Sequence, residues 1–163
     1  MQIKNRVYIF GSAIITLTLL TLNVIAQSQN VIEGHFKALN SHDVKVIAAG
    51  YTADAQVFSP NWEGAKAGEE SLKETYGRYF KSTPDLAYTV TNTIDAGDKV
   101  IVEYTWTGTL SNPEGGEPEY MKGKKYLLKA CAIFELKGDK IAKETVYFDQ
   151  VAFLKQVGFF DQH

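Results

Sequence analysis

Few residues of this chain have chemistry to offer, and they are scattered. Asp149 stands alone among Tyr147, Phe148, Val151 and Phe153, where a strand-like stretch gives way to helical spacing at Val151, Phe153 and Leu154. A carboxylate there serves in one of two ways. It is the N-cap of the helix, or it is an acid in an apolar pocket, where lost solvation raises its pKa and suits it to taking and giving a proton. On the strand Asp149 shares a face with Tyr147 and Thr145. His35 falls on the apolar stripe Val31, Ile32, Phe36, Leu39 of an N-terminal helix, either packed in the core or turned toward a substrate. His42 is expected at the surface of a turn. Even on one continuous helix it would lie about 10 Å from His35, too far to share a metal ion. No metal site and no cofactor are expected. Cys131, the only cysteine, has no neighbouring base and reads as a small buried hydrophobe. Neither a nucleophile elbow nor a phosphate-binding glycine loop occurs.

Aromatic residues supply the walls that a pocket would need. Trp62 sits in a polar loop, Tyr76 and Phe80 fall on one helical face, and Tyr104 and Trp106 share one face of a strand. Phe58, Ser59 and Tyr147 complete the candidate lining. Many large aromatics are simply core, so some of these are expected to pack rather than bind.

The elements that must position these groups follow from periodicity. Helical spacing runs from 28 to 40. A second helix capped by Asp43 is expected through Val44, Val46, Ile47 and Tyr51, then a turn at 52–54 and a short strand at 55–59 ended by Pro60. A third helix follows Gly68, with Leu72, Tyr76, Tyr79 and Phe80 on one face, and acids toward its start and cations toward its end suit its dipole. Pro84 ends it. Beyond, the period changes to that of strands: 86–95 and 99–110 joined by a hairpin turn, a loop at 111–118, a strand at 124–136, and the final strand running into a helix stopped by Gly158. Helices first and a strand meander after them predict an α+β fold: a cone-shaped, curved antiparallel sheet closed by three N-terminal helices, with a core at one end and a pocket at the other.

The ends and the composition narrow the function classes. Residues 1–26 combine a basic head, an apolar middle and a cleavage-like Val24-Ile-Ala26, the parts of a secretory signal. The protein is therefore expected to be exported, periplasmic or secreted, with residues 27–163 as one domain and no stable membrane insertion once the signal is removed. An uncleaved anchor is the rival reading. A formal net charge of −2 argues against a nucleic-acid partner.

Taken in order, several phrases resemble the nuclear-transport-factor-2-like superfamily, which includes ketosteroid isomerases and SnoaL-like polyketide cyclases. They are Phe36-Lys-Ala-Leu-Asn-Ser-His-Asp43, Tyr51-Thr-Ala-Asp-Ala55 with Pro60 beyond, 64–80, Thr107-Gly-Thr109, and Gly138-Asp-Lys-Ile141 leading to Tyr147-Phe-Asp149. The resemblance implies the cone fold and a homodimer. At the isomerases' general-base Asp this chain has Ser59, at their oxyanion-binding Tyr it has His35, and at their second acid it has Ala132, which argues against steroid isomerisation. The SnoaL-like branch places its acid/base Asp where Asp149 stands, but often adds a His where this chain has Leu110. The resemblance thus implies a pocket protein for a small apolar molecule. As a cofactor-free isomerase-, cyclase- or lyase-type enzyme on a carbonyl compound, it would use Asp149 to move the proton and His35 or a Tyr hydroxyl to hold the developing oxyanion. A non-catalytic carrier, or a dimeric association module whose aromatics fill the cone, are the alternatives.

Overall fold

A computed structural model describes residues 27–111 and 118–161. The leader expected at 1–26 and most of the loop expected at 111–118 lie outside the described residues. The first helix, α1, is described over 27–41, and its stripe turns Ile32, His35, Phe36 and Leu39 into the core. Helix α2, Val44–Ala49, is capped as expected: the Asp43 carboxylate accepts from the backbone N–H groups of Lys45 and Val46. Helix α3, Glu69–Ser82, carries Glu69 and Glu70 in its first turn and Lys81 in its last, and Lys73 bridges both acids. Helix α4, Gln150–Gln156, ends in a Schellman-type turn, with Phe159 N–H bonded to Leu154 C=O and Gly158 at φ 80°.

Six strands form one curved, unclosed sheet. They are β1 (Tyr51–Phe58), β2 (Ala65–Ala67), β3 (Ala87–Asp95), β4 (Lys99–Thr109), β5 (Lys125–Lys137) and β6 (Lys140–Phe148), in the spatial order β2-β1-β6-β5-β4-β3. All neighbours are antiparallel except β1 and β6, which run parallel. Two boundaries differ from the expectation. Tyr51 opens β1 rather than closing α2, and the expected turn at 52–54 is strand, because Tyr51 pairs with Ile141 and carries the chain onto β6. The short β2, hairpin partner of β1, lies in a polar stretch without alternation and has no counterpart among the expected strands.

Alternation on β4 and β5 sends Val100, Val102, Tyr104 and Ala130, Ala132, Phe134 to the concave face. There they meet α1, forming the closed end of the cone with Ile47, Tyr51 and Ile141. Beyond Ala130 toward its start, β5 has no β6 partner, since Ala130 pairs with Phe148 at the end of β6. Helix α4 takes that place. Gln156 accepts from Leu127 N–H at 2.8 Å and donates to Leu127 C=O at 3.1 Å, standing in for one strand pair.

Candidate ligand cavity and its buried acid

At the end of the cone away from α1, a cavity of about 290 Å³ opens between α3 and the sheet. Aromatic residues make up about half of its lining, among them Trp62 from the loop after β1, Tyr79 from α3, Tyr88 and Trp106 from β3 and β4, and Phe148 and Phe153 around the β6–α4 junction. A separate, narrow recess of about 30 Å³ shares Trp62, Tyr79, Tyr88 and Trp106 with the cavity, is flanked by Ser59, Tyr76 and Tyr104, and has Glu144 in its lining. A volume of that size holds about one water molecule. The indole N–H groups of Trp62 and Trp106, whose residues line both spaces, are buried and find no partner among the described residues.

Glu144 is the chemical centre of this arrangement. Its side chain points inward because β6 carries an extra residue against β5: Glu135 pairs with Lys143 while Leu136 pairs with Ile141, so Ala142 is passed over. Ile141 and Glu144 therefore both face the core, followed by Val146 and Phe148. The residue is only 4% exposed. The Tyr51 hydroxyl donates to its carboxyl, and the Tyr51 and Tyr76 hydroxyls lie 3.0 Å apart. No ion pair offsets its burial among the described residues. Desolvation pushes its pKa up to about 7, against the pull of the hydrogen bonds from Tyr51 and Tyr76. Burial likewise drives the tyrosine hydroxyls upward, so Tyr51 and Tyr76 stay protonated and act as donors.

The residues singled out in the sequence divide sharply. Trp62 and Trp106 line both spaces, and Ser59, Tyr76 and Tyr104 line the recess. Asp149 does not reach either. It is exposed, and its carboxylate caps α4 by accepting from Ala152 N–H at 2.9 Å. The reason is the phase of β6: with Glu144, Val146 and Phe148 inward, Thr145, Tyr147 and Asp149 fall on the outer side. Tyr147 is accordingly 54% exposed. Phe58 also faces outward, opposite its inward neighbour Val57, and lies under the Lys143 ammonium. Phe80 packs instead of lining, stacked on the His42 ring at 4.2 Å.

His35 is buried away from the cavity, ringed edge-on by Phe36, Tyr51 and Phe134 at 5.5 Å each. Neither of its ring nitrogens has a partner among the described residues, and burial lowers its pKa to about 3. It is a neutral core imidazole. His42 is not a surface group: at φ 55° it turns inward, and its Nε2 lies 2.7 Å from Leu86 C=O. No cluster of His, Cys, Asp and Glu suited to a metal ion occurs among the described residues. None of their helices is long and apolar enough to cross a membrane.

Solved structures share this architecture at low identity. One is a hypothetical protein with a ketosteroid isomerase-like fold from Catenulispora acidiphila, in complex with trimethylamine. It superposes with a TM-score of 0.67 at 17% identity, over 78% of this chain and 92% of that one. A candidate SnoaL-like polyketide cyclase from Shewanella denitrificans gives 0.70 at 14%, over 80% and 96%. An NTF2-like protein of unknown function from Burkholderia pseudomallei gives 0.67 at 14%, over 80% and 97%. None of the curated proteins matches the chain in sequence. The sequence profile of the SnoaL-like domain, in contrast, matches residues 32–144, from the first buried turn of α1 to the buried acid. The chain belongs to the SnoaL-like domain family and takes its nuclear-transport-factor-2-like α+β fold.

Proposed function

We propose that this protein binds a small, flat, largely apolar carbonyl compound in the aromatic cavity and moves a proton next to the carbonyl with Glu144. The observation that carries this reading is a buried carboxyl, free of any ion-pair partner among the described residues, in a recess that shares four aromatic walls with the cavity. With a pKa of about 7 the group is present in both forms near neutral pH. Its carboxylate removes a proton from the carbon beside the carbonyl, and the resulting carboxylic acid returns it to the same or a neighbouring carbon, so no net charge or cofactor is consumed. The recess in front of Glu144 admits one water, which passes the proton when the ligand body stays in the outer cavity. Export on the strength of the leader-like 1–26, and a homodimer on the strength of the resemblance, belong to the same proposal.

A test uses 2-tetralone, a bicyclic ketone with acidic protons beside its carbonyl, in D₂O. Wild-type protein is expected to accelerate deuterium incorporation seen by proton NMR, with a rate that rises with pH through about 7. Glu144→Gln is expected to lose the acceleration while still binding the ketone, and Asp149→Asn to keep it. Unchanged exchange in Glu144→Gln overturns the assignment. Binding without exchange in the wild type reduces the protein to a carrier that uses the same cavity.

A further inference from the structure

The charged residues that line the outer cavity are Lys66 on β2 and Arg78 on α3, and no Asp or Glu lines it. Neither cation is ion-paired with a carboxylate among the described residues. The α3 acids that do hold a cation, Glu69 and Glu70, sit at the other end of the helix on Lys73. Lys66 is held in the β1–β2 hairpin opposite Val57, and Arg78 projects from the helical turn that also carries Tyr79. The cavity thus combines aromatic walls with two cations that have no ion-pair partner among the described residues. A neutral ligand would leave this positive field unanswered. Lys66 is half-buried and Arg78 exposed at the rim, and a ligand with a carboxylate complements them, since a cleft lined by one sign of charge concentrates the opposite ion.

Resting on the reading of this space as the ligand site, we infer that the ligand is an organic acid: a carbonyl compound of one or two rings whose carboxylate is held at the cavity by Lys66 and Arg78. Its ring system lies between Trp62, Tyr79, Tyr88 and Trp106, and the carbon beside its carbonyl points down the recess toward Glu144. The two cations orient the molecule, and the buried acid acts on its other end. Arg78 offers the planar donor fork that matches a carboxylate, and Lys66 adds a point charge.

The experiment compares 2-naphthoate with 2-naphthamide, which share a ring system and differ in charge, by isothermal titration calorimetry at low ionic strength. Naphthoate is expected to bind at least ten-fold more tightly, with the difference shrinking as salt is added. In a Lys66→Gln, Arg78→Gln double variant the preference is expected to vanish while the affinity for naphthamide is retained, which also shows that the variant is folded. Equal affinity for both probes in the wild type, or a preference that survives in the double variant, overturns the assignment of an acid ligand and leaves the cavity reading standing. Binding of neither probe overturns the cavity reading, and this inference with it.

Discussion

Glu144 and His35 are both titratable and both buried, and they pull stability in opposite directions as pH changes. The Glu144 pKa is raised from 4.5 to about 7 in the folded protein, so its contribution is complete below 4.5 and is lost as pH rises through 7. The His35 pKa is lowered from 6.5 to about 3, so its contribution is complete above 6.5 and is lost as pH falls toward 3. Each is worth roughly 3–5 kcal/mol over its window. Their slopes oppose between 4.5 and 6.5, giving a broad plateau with a decline on either side. Urea midpoints across this range are expected to lose the upper decline in Glu144→Gln and the lower one in His35→Leu. An upper decline that persists in Glu144→Gln would mean that another group titrates there. Asp149 tests the same division of labour from outside. As a cap, Asp149→Ala is expected to cost about 1 kcal/mol of stability and to leave ligand affinity unchanged. Lost affinity at unchanged stability would return Asp149 to the pocket.

Among the elements, β4 and α4 set the width of the cavity. Gly108 lies where β4 passes under Thr83 and Tyr126, and a Cβ built there would stand 2.2 Å from Thr83 Cγ2 and 3.1 Å from the Tyr126 hydroxyl. Thr83 and Tyr126 both line the cavity. Gly108→Ala is therefore expected to destabilise by about 1–3 kcal/mol and to weaken binding of any cavity ligand, both measurable on one protein preparation. Most of these elements are legible in the sequence. Asp43 and Gly158 mark helix ends by their own chemistry, and the long alternations of 86–95 and 99–110 admit only strands. The site is less legible, because alternation gives a strand two faces without saying which is inner. On β6 both faces carry apolar groups, Val146 and Phe148 on one and Tyr147 on the other, and the pattern alone favours Asp149 over Glu144. The skipped residue Ala142, which brings Glu144 into line with Ile141, leaves no mark in the sequence. Glu144 between Lys143 and Thr145 looks like a solvated position. Trp62, Trp106, Tyr76 and Tyr104 are legible because large aromatics beside a strand end or on one inner face have few other places to go, whereas Ser59 stands out only through the family resemblance.

At the scale of the whole molecule, the cone has one packed end and one hollow end, and Tyr51 stands between His35, which its ring packs against, and Glu144, which its hydroxyl bonds. His35 is buried among the rings of Phe36, Tyr51 and Phe134, and burial keeps it neutral. Glu144 lines the small recess beside the cavity, and its burial pushes its pKa up to about 7. The central claim is that this acid titrates near neutrality and communicates with the cavity. Carbon-13 NMR of protein labelled at the glutamate carboxyl measures both properties at once. One carboxyl resonance, absent from Glu144→Gln, is expected to titrate near pH 7 and to shift when 2-naphthoate is added. Titration of every glutamate carboxyl below about pH 5, the ordinary carboxylate range, or a Glu144 resonance indifferent to a ligand that binds, would contradict the account.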